Sequence, residues 1–151
     1  MVKRIKNIDK GIASQIYSVF QASYKVEAEL LNAIDFPPLQ RTVNSFLTCN
    51  NTFLACFRDN KIAGIIEVES HSKSTHIQSL VVHPREFRKG IARELITYVL
   101  NNYKSELFTV ETGLNNYPAI QLYKGFDFKE IKQFDTDHGV RKVRLEKVVS
   151  S

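Results

Sequence analysis

The feature that most constrains this chain lies near its middle. In Val81-Val82-His83-Pro84-Arg85-Glu86-Phe87-Arg88-Lys89-Gly90-Ile91-Ala92, a strand empties into a basic loop whose one glycine opens a helix. Residues 77–82 read as that strand. Ile91, Leu95, Tyr98 and Val99 mark the buried stripe of a helix running to about Asn102, and residues 107–112 read as the next strand. A strand, a helix and a second strand in close succession predict a parallel pair joined by a right-handed crossover.

The flanks fill out a mixed sheet. Residues 2–6 read as a strand, and residues 12–31 as a helix with Ile12, Ile16, Val19, Phe20 and Ala22 or Tyr24 near helical spacing. Asp35-Phe36-Pro37-Pro38 breaks that helix, and a shorter one is expected over 39–49. Residues 52–57 and 61–70 form a hairpin about Arg58-Asp59-Asn60, with a polar turn at 71–75. A short helix over 118–123 and two closing strands, 128–134 and 140–149, complete the order β-α-α-β-β-β-α-β-α-β-β. Arg141 to Lys147 reads as a charged edge strand with Val143, Leu145 and Val149 on one face.

Composition narrows the class of protein. A length of 151 residues suits a single domain, and 43% hydrophobic with 25% charged residues is ordinary for a globular chain. No apolar run approaches the ~20 residues a bilayer needs, and no apolar stretch follows the first basic residues as a secretory signal requires. Cys49 and Cys56 fit neither zinc-ligand spacing nor a disulfide framework. They read as core, in a cytoplasmic protein without a metal. The net charge of +5 favours an anionic partner, but acids interrupt every basic run, which argues against nucleic acid.

The helix opened by Gly90 has first-turn amides without intrahelical partners and the positive end of the macrodipole, with Arg85, Arg88 and Lys89 beside it. That is a ready pyrophosphate site. It is neither a Walker loop nor a G-x-G-x-x-G fingerprint, so ATP and NAD are disfavoured.

Phe87-Arg88-Lys89-Gly90-Ile91-Ala92 resembles the acetyl-coenzyme A loop of the GNAT family of N-acetyltransferases, Arg/Gln-x-x-Gly-x-Gly/Ala, departing from it at Phe87. A second block, from Val110 through Asn116, Ala119, Ile120 and Leu122 to Tyr123, is similar to the family's strand followed by Asn-x-x-Ala-Ile-x-Leu-Tyr. Asp127-Phe128 stands where the family has Gly-Phe. The resemblance covers nearly the whole chain and is nearest the branch that acetylates the N-terminal alanine of a ribosomal protein.

This resemblance implies an α/β fold with a central mixed sheet and about four helices, and acetyl transfer from acetyl-CoA to a primary amine by direct attack in a ternary complex. Leu80, Val81 and Val82 would pair with the pantetheine arm as an extra strand, and Phe87, Arg88, Lys89, Gly90, Ile91 and Ala92 would cradle the pyrophosphate. Asn116 would contact the coenzyme. Tyr123 would protonate the leaving thiolate, whose pKa lies near a cysteine's ~8.5. A lysine-like amine costs roughly 4–5 kcal/mol to deprotonate at pH 7 and an α-amine about 1, so a base is needed. Glu111 is the first choice. Glu67 and Glu69, on one face of their strand, come second and could hold a cationic acceptor, and a water relay through His76 comes last. Phe36 would border an acceptor cleft for a small amine, an amino-acid derivative or a peptide N-terminus. The alternative is a coenzyme-binding module without turnover. Either would be a monomer or homodimer.

Overall fold

The computed structural model describes residues 1–149. The chain runs β1 (Val2–Ile5), α1 (Lys10–Leu31), a 3₁₀ turn (Pro37–Gln40), α2 (Val43–Leu47), β2 (Thr52–Arg58), β3 (Lys61–Ser70), β4 (Ser74–Val82) and a second 3₁₀ turn (Pro84–Glu86). It continues with α3 (Ile91–Asn102), β5 (Leu107–Gly113), α4 (Tyr117–Gly125), β6 (Lys129–Phe134) and β7 (Lys142–Val148). The seven strands form one sheet in the order β1-β2-β3-β4-β5-β7-β6. Only β4 and β5 are parallel, the pair that the α3 crossover joins.

Helices cover both faces of the sheet. On one side α1 and α2 bury Ile16, Phe20 and Phe46 against Phe53, Ile65 and Val81. On the other, α3 and α4 bury Leu95, Ile96 and Ile120 against Ile66, Ile77, Phe108 and Leu145. Gly64 permits the approach of α3: a Cβ there would lie 2.6 Å from Ile91 and 3.0 Å from the Val81 carbonyl. α1 starts at Asp9, whose side chain accepts the Ile12 amide at 3.0 Å.

Four expectations need correction. The helix expected over 39–49 is shorter, because Pro37 and Pro38 open a 3₁₀ turn, Arg41 is extended, and a Thr42–Ser45 capping box restarts the chain as α2. β4 begins at Ser74, not Ile77, since the end of β3 pairs with it down to Ser70 opposite Thr75. The basic strand β7 is interior: it runs antiparallel to β5 and buries Val143 and Leu145, and the edge falls to β6, whose side chains are exposed. Finally, Cys56 is buried as expected, but Cys49 is half-buried, with its sulfur 3.5 Å from a Glu67 oxygen.

Asp127 has φ +68°, in the left-handed region. The backbone there needs the conformation glycine adopts freely, and aspartate is among the side chains that tolerate it. Asp127→Gly should therefore leave stability within about 1 kcal/mol, whereas Asp127→Val should cost about 1–3 kcal/mol. Urea unfolding of the two variants beside the wild type measures both.

Candidate active site

The parallel ladder between β4 and β5 is short. It runs from Ser74 opposite Leu107 to Ile77 opposite Val110 and stops. At that point β4 carries a bulge: Glu67 pairs with Ser79 and Val68 with Ile77, leaving Gln78 as the extra residue. Past it, β4 keeps only β3 and β5 keeps only β7, as far as Gly113 opposite Lys142. The two strands part at their carboxyl ends, where parallel sheets present ligand sites.

A cavity of about 340 Å³ fills the gap. Gln78, Ser79 and Leu80 line it from β4, and Glu111, Thr112 and Gly113 from β5. Tyr24, Glu27 and Leu31 come from α1, Tyr123 from α4, Phe36 and Arg41 from the segment after α1, and Lys142 from β7. α1 closes down on the end of β5, where a Cβ on Gly113 would lie 2.7 Å from the Leu31 side chain.

Beside the cavity, β4 leads through the 3₁₀ turn to α3. Asp9, Thr42 and Asn116 cap α1, α2 and α4 with side-chain oxygens, but Gly90, at φ +77°, gives α3 no side-chain cap. The first amides of α3 therefore have no side-chain acceptor, and there is room beside Gly90, where a Cβ would meet nothing within 4 Å. This cradle fits a pyrophosphate by chemistry and by room. Arg88 is also left-handed, at φ +64°. Lys89 pairs with Glu86 at 3.0 Å, and Arg93 stacks on Phe126. Phe87 is 41% exposed, and its amide donates to the Pro84 carbonyl. In β4, Leu80 faces the cavity, Val81 is buried in the α1 core, and the Val82 amide donates to the Ser23 hydroxyl at 3.3 Å.

The expected acids divide. Glu111 lines the cavity, ion-paired to Arg144 at 3.0 Å. Glu67 is fully buried and saturated: Arg41 grips both its oxygens, at 2.6 and 3.1 Å, and Asn51 donates at 2.9 Å. Burial pushes its carboxyl up, but Arg41, Asn51 and Ser79 outweigh that and hold it below the usual range. Glu69 is half-exposed beside His71 and outside the cavity lining. His76 bonds Thr109 at 2.7 Å, and burial lowers its pKa, partly opposed by Glu111. Phe36 lies in the cavity wall, with its ring centroid 6.3 Å from that of His138.

Tyr123 lines the cavity from a buried position and packs on Phe128. Burial, then the negative ends of Tyr24 and Glu27, pushes its phenol up, so it stays protonated. Asn116 is spent within the protein: its Nδ2 donates to Glu27 at 2.8 Å and its Oδ1 accepts the Ala119 amide.

Two cavity residues were not foreseen as functional, Tyr24 and Glu27. Burial raises the Glu27 carboxyl to about 7, against the pull of Lys142 and the Asn116 hydrogen bond. The sequence holds only a weak signal for Glu27. Glu27 sits among Tyr24, Ala28 and Leu31, an acid inside the buried stripe of α1.

The model of the acetyltransferase (GNAT) domain matches residues 22–149, and the chain belongs to that family. It is 30% identical over 141 residues to the UPF0157 protein YqkA of Bacillus subtilis, covering 93% of this chain and 41% of that protein. It is 30% identical over 96 residues to an N-alpha-acetyltransferase of Saccharolobus solfataricus, covering 53% of this chain and 58% of that one. The chain thus spans between two-fifths and three-fifths of these two relatives. Among solved structures, the Escherichia coli ribosomal-protein-S18-alanine N-acetyltransferase superposes with a TM-score of 0.78 at 15% identity, covering 100% of this chain and 94% of that one. The PaiA N-acetyltransferase of Thermoplasma acidophilum, solved with coenzyme A, gives 0.76 at 16% identity, covering 99% of each chain. Among the described residues no helix is long and apolar enough to cross a membrane, and no cluster of His, Cys, Asp and Glu could hold a metal ion.

Two stability measurements check these electrostatics. Arg41→Ala strands the Glu67 carboxylate in the core and should cost about 3–5 kcal/mol in urea unfolding. Glu27→Gln should have a pH-dependent effect. Below about pH 4.5 folded and unfolded carboxyls are both protonated, and the variant matches the wild type. As pH rises from 4.5 through 7 the unfolded chain ionises first, and the wild type should lose up to about 3 kcal/mol relative to the variant. Thermal melts at pH 4 and pH 8 read the difference.

Proposed function

We propose that this protein transfers the acetyl group of acetyl-CoA to the primary amine of a small amine, an amino-acid derivative or a peptide N-terminus. The amine attacks directly in a ternary complex. The observation that carries the reading is the parting of β4 and β5 past Ile77 and Val110, which opens a cavity lined by Tyr123 and by Leu80 of β4, the strand that leads on to the uncapped start of α3. The pantetheine arm extends along Leu80, Val81 and Val82, adding to the free side of β4. The pyrophosphate rests on the backbone from Phe87 to Ala92, with Arg88 and Lys89 at its rim. Since the Phe87 amide is turned to Pro84, the weight falls on the amides of Ile91 and Ala92.

Tyr123 supplies the proton to the departing thiolate. Burial holds the hydroxyl protonated at neutral pH, so the proton is there to give, while the same burial makes the phenol a weaker acid. Phe36 and its neighbours wall the acceptor side. Glu67 and Glu69 act on the acceptor less directly than their sequence positions imply, because Arg41 neutralises the first and the second lies outside the lining. Cys49 is unsuited to covalent catalysis, since burial pushes its thiol up. The N-alpha-acetyltransferase relative and the S18-alanine N-acetyltransferase structure favour an α-amine among the acceptors.

Calorimetric titration with acetyl-CoA tests the donor half, wild type beside Gly90→Glu, with thermal melts showing that both fold. Micromolar binding (about −8 kcal/mol) that vanishes in the variant is expected. No binding by the wild type overturns the reading. Thiol release with a panel of amines tests the transfer half. Tyr123→Phe should lower kcat by roughly 10²-fold or more with donor binding retained. Binding without turnover on any amine would leave a coenzyme-binding module and overturn the transfer.

A further inference from the structure

Two carboxylates line the cavity, and their surroundings differ. Glu111 is tied to Arg144. Glu27 is the one carboxylate of that wall without an ion-pair partner among the described residues, and its sole hydrogen-bond donor is the neutral amide of Asn116, at 2.8 Å. A half-buried acid in that position is expensive to keep unpaired unless it has work to do.

We propose that Glu27 is the catalytic base that takes the proton from the acceptor's ammonium group, and that Asn116 is a positioning residue holding its carboxylate toward the cavity. This rests on the acetyl-transfer reading above. Tyr24 on α1, Tyr123 on α4 and Lys142 on β7 act electrostatically with Glu27, and Glu111 on β5, Arg41 beyond the 3₁₀ turn (ion-paired to Glu67) and His138 in the loop before β7 line the same cavity. His138 Nδ1 is buried with no partner among the described residues. Proton and electron counts close. The ammonium gives one proton to Glu27, and the freed lone pair forms the C–N bond to the thioester carbon. The C–S bond breaks with its electrons on sulfur. The second nitrogen proton is lost as the thiolate receives one from Tyr123, so that nitrogen and sulfur exchange a proton through the phenol.

The basicity of Glu27 suits this task. A carboxyl titrating near 7 lies about one unit below an α-ammonium and more than three below a lysine ammonium. Proton transfer from the α-amine is uphill about tenfold, against more than a thousandfold for the ε-amine. Of the two, the α-amine is the easier acceptor to deprotonate, which accords with the α-amine included among the acceptors proposed above.

The test is the pH profile of kcat/KM for wild type, Glu27→Gln, Glu111→Gln, Asn116→Asp and Lys142→Met. The acceptors are an apolar L-amino acid, its amide and a short peptide beginning with the same residue, with an Nα-blocked lysine for comparison. Wild type should show an acid limb near pH 7 and prefer the α-amines. Glu27→Gln should lose that limb and fall 10²- to 10⁴-fold, with acetyl-CoA binding unchanged by calorimetry. Asn116→Asp keeps the oxygen that caps α4 but sets a charge beside Glu27, so the limb should move up. Lys142→Met should also move it up, by removing the cation that favours the ionised form. Full activity with an intact limb in Glu27→Gln, or a limb abolished instead by Glu111→Gln, overturns the proposal. A wild type that binds acetyl-CoA but acetylates none of these amines fails at the earlier reading, and is told apart because the failure precedes any variant.

Discussion

One extra residue in β4 governs the rest of the molecule. With Gln78 bulged out between Ile77 and Ser79, the alternation of side chains along the strand changes hands. Ile77 packs in the core beneath α3, whereas Val81 packs in the core beneath α1. The bulge comes where β4 loses β5, and a strand that keeps one neighbour exposes the polar groups of its other side. Those groups, the cavity and the change of face arise at one place. The parallel pair is held below the bulge, so the opening has fixed walls.

The roof of the opening hangs on a buried charge. Arg41 joins the segment after α1 to Glu67 on β3 by two hydrogen bonds, and its guanidinium lies over Phe46 at 4.3 Å and Phe20 at 5.3 Å. Desolvating such a pair is costly, and its net contribution to stability is modest. What it supplies is direction. Pro37 and Pro38 prevent α1 from continuing, and the ion pair anchors the chain that follows them at one place on the sheet. Phe36 and Arg41 enter the cavity wall from that anchored segment.

Much of this was legible in the sequence. The crossover unit, the hairpin at Arg58-Asp59-Asn60 and the open helix start at Gly90 rest on local signals: periodicity, turn chemistry and glycine. The parallel order of β4 and β5 followed from connectivity. The place of β7 did not, because its lysines and arginine resemble an edge. Nothing local announces that Glu111 and Glu146 both take up Arg144 across an interior position. Glu67 and Glu69 share a face by period, yet their environments diverge, since the partner of Glu67 comes from 26 residues away. Glu27 was hidden for a related reason. An acid within a helix stripe reads as a solvated interruption until the fold places Asn116 beside it from 89 residues further on.

The proposed acid and base belong to different layers of the protein. Tyr123 belongs to the α3–α4 core, while Glu27 sits on α1, which covers the opposite face of the sheet. An intact parallel ladder would separate them by the thickness of a sheet, since packed layers lie about 10 Å apart. The split between β4 and β5 removes that partition, and the charge of Glu27 then acts on the Tyr123 phenol directly. The two groups influence each other in opposite senses. Ionised Glu27 holds the proton on Tyr123, whereas Glu27 that has accepted a proton relaxes that hold. In the proposed reaction, removal of the acceptor's proton by Glu27 would ease release of the phenol's own, coupling the two transfers through charge.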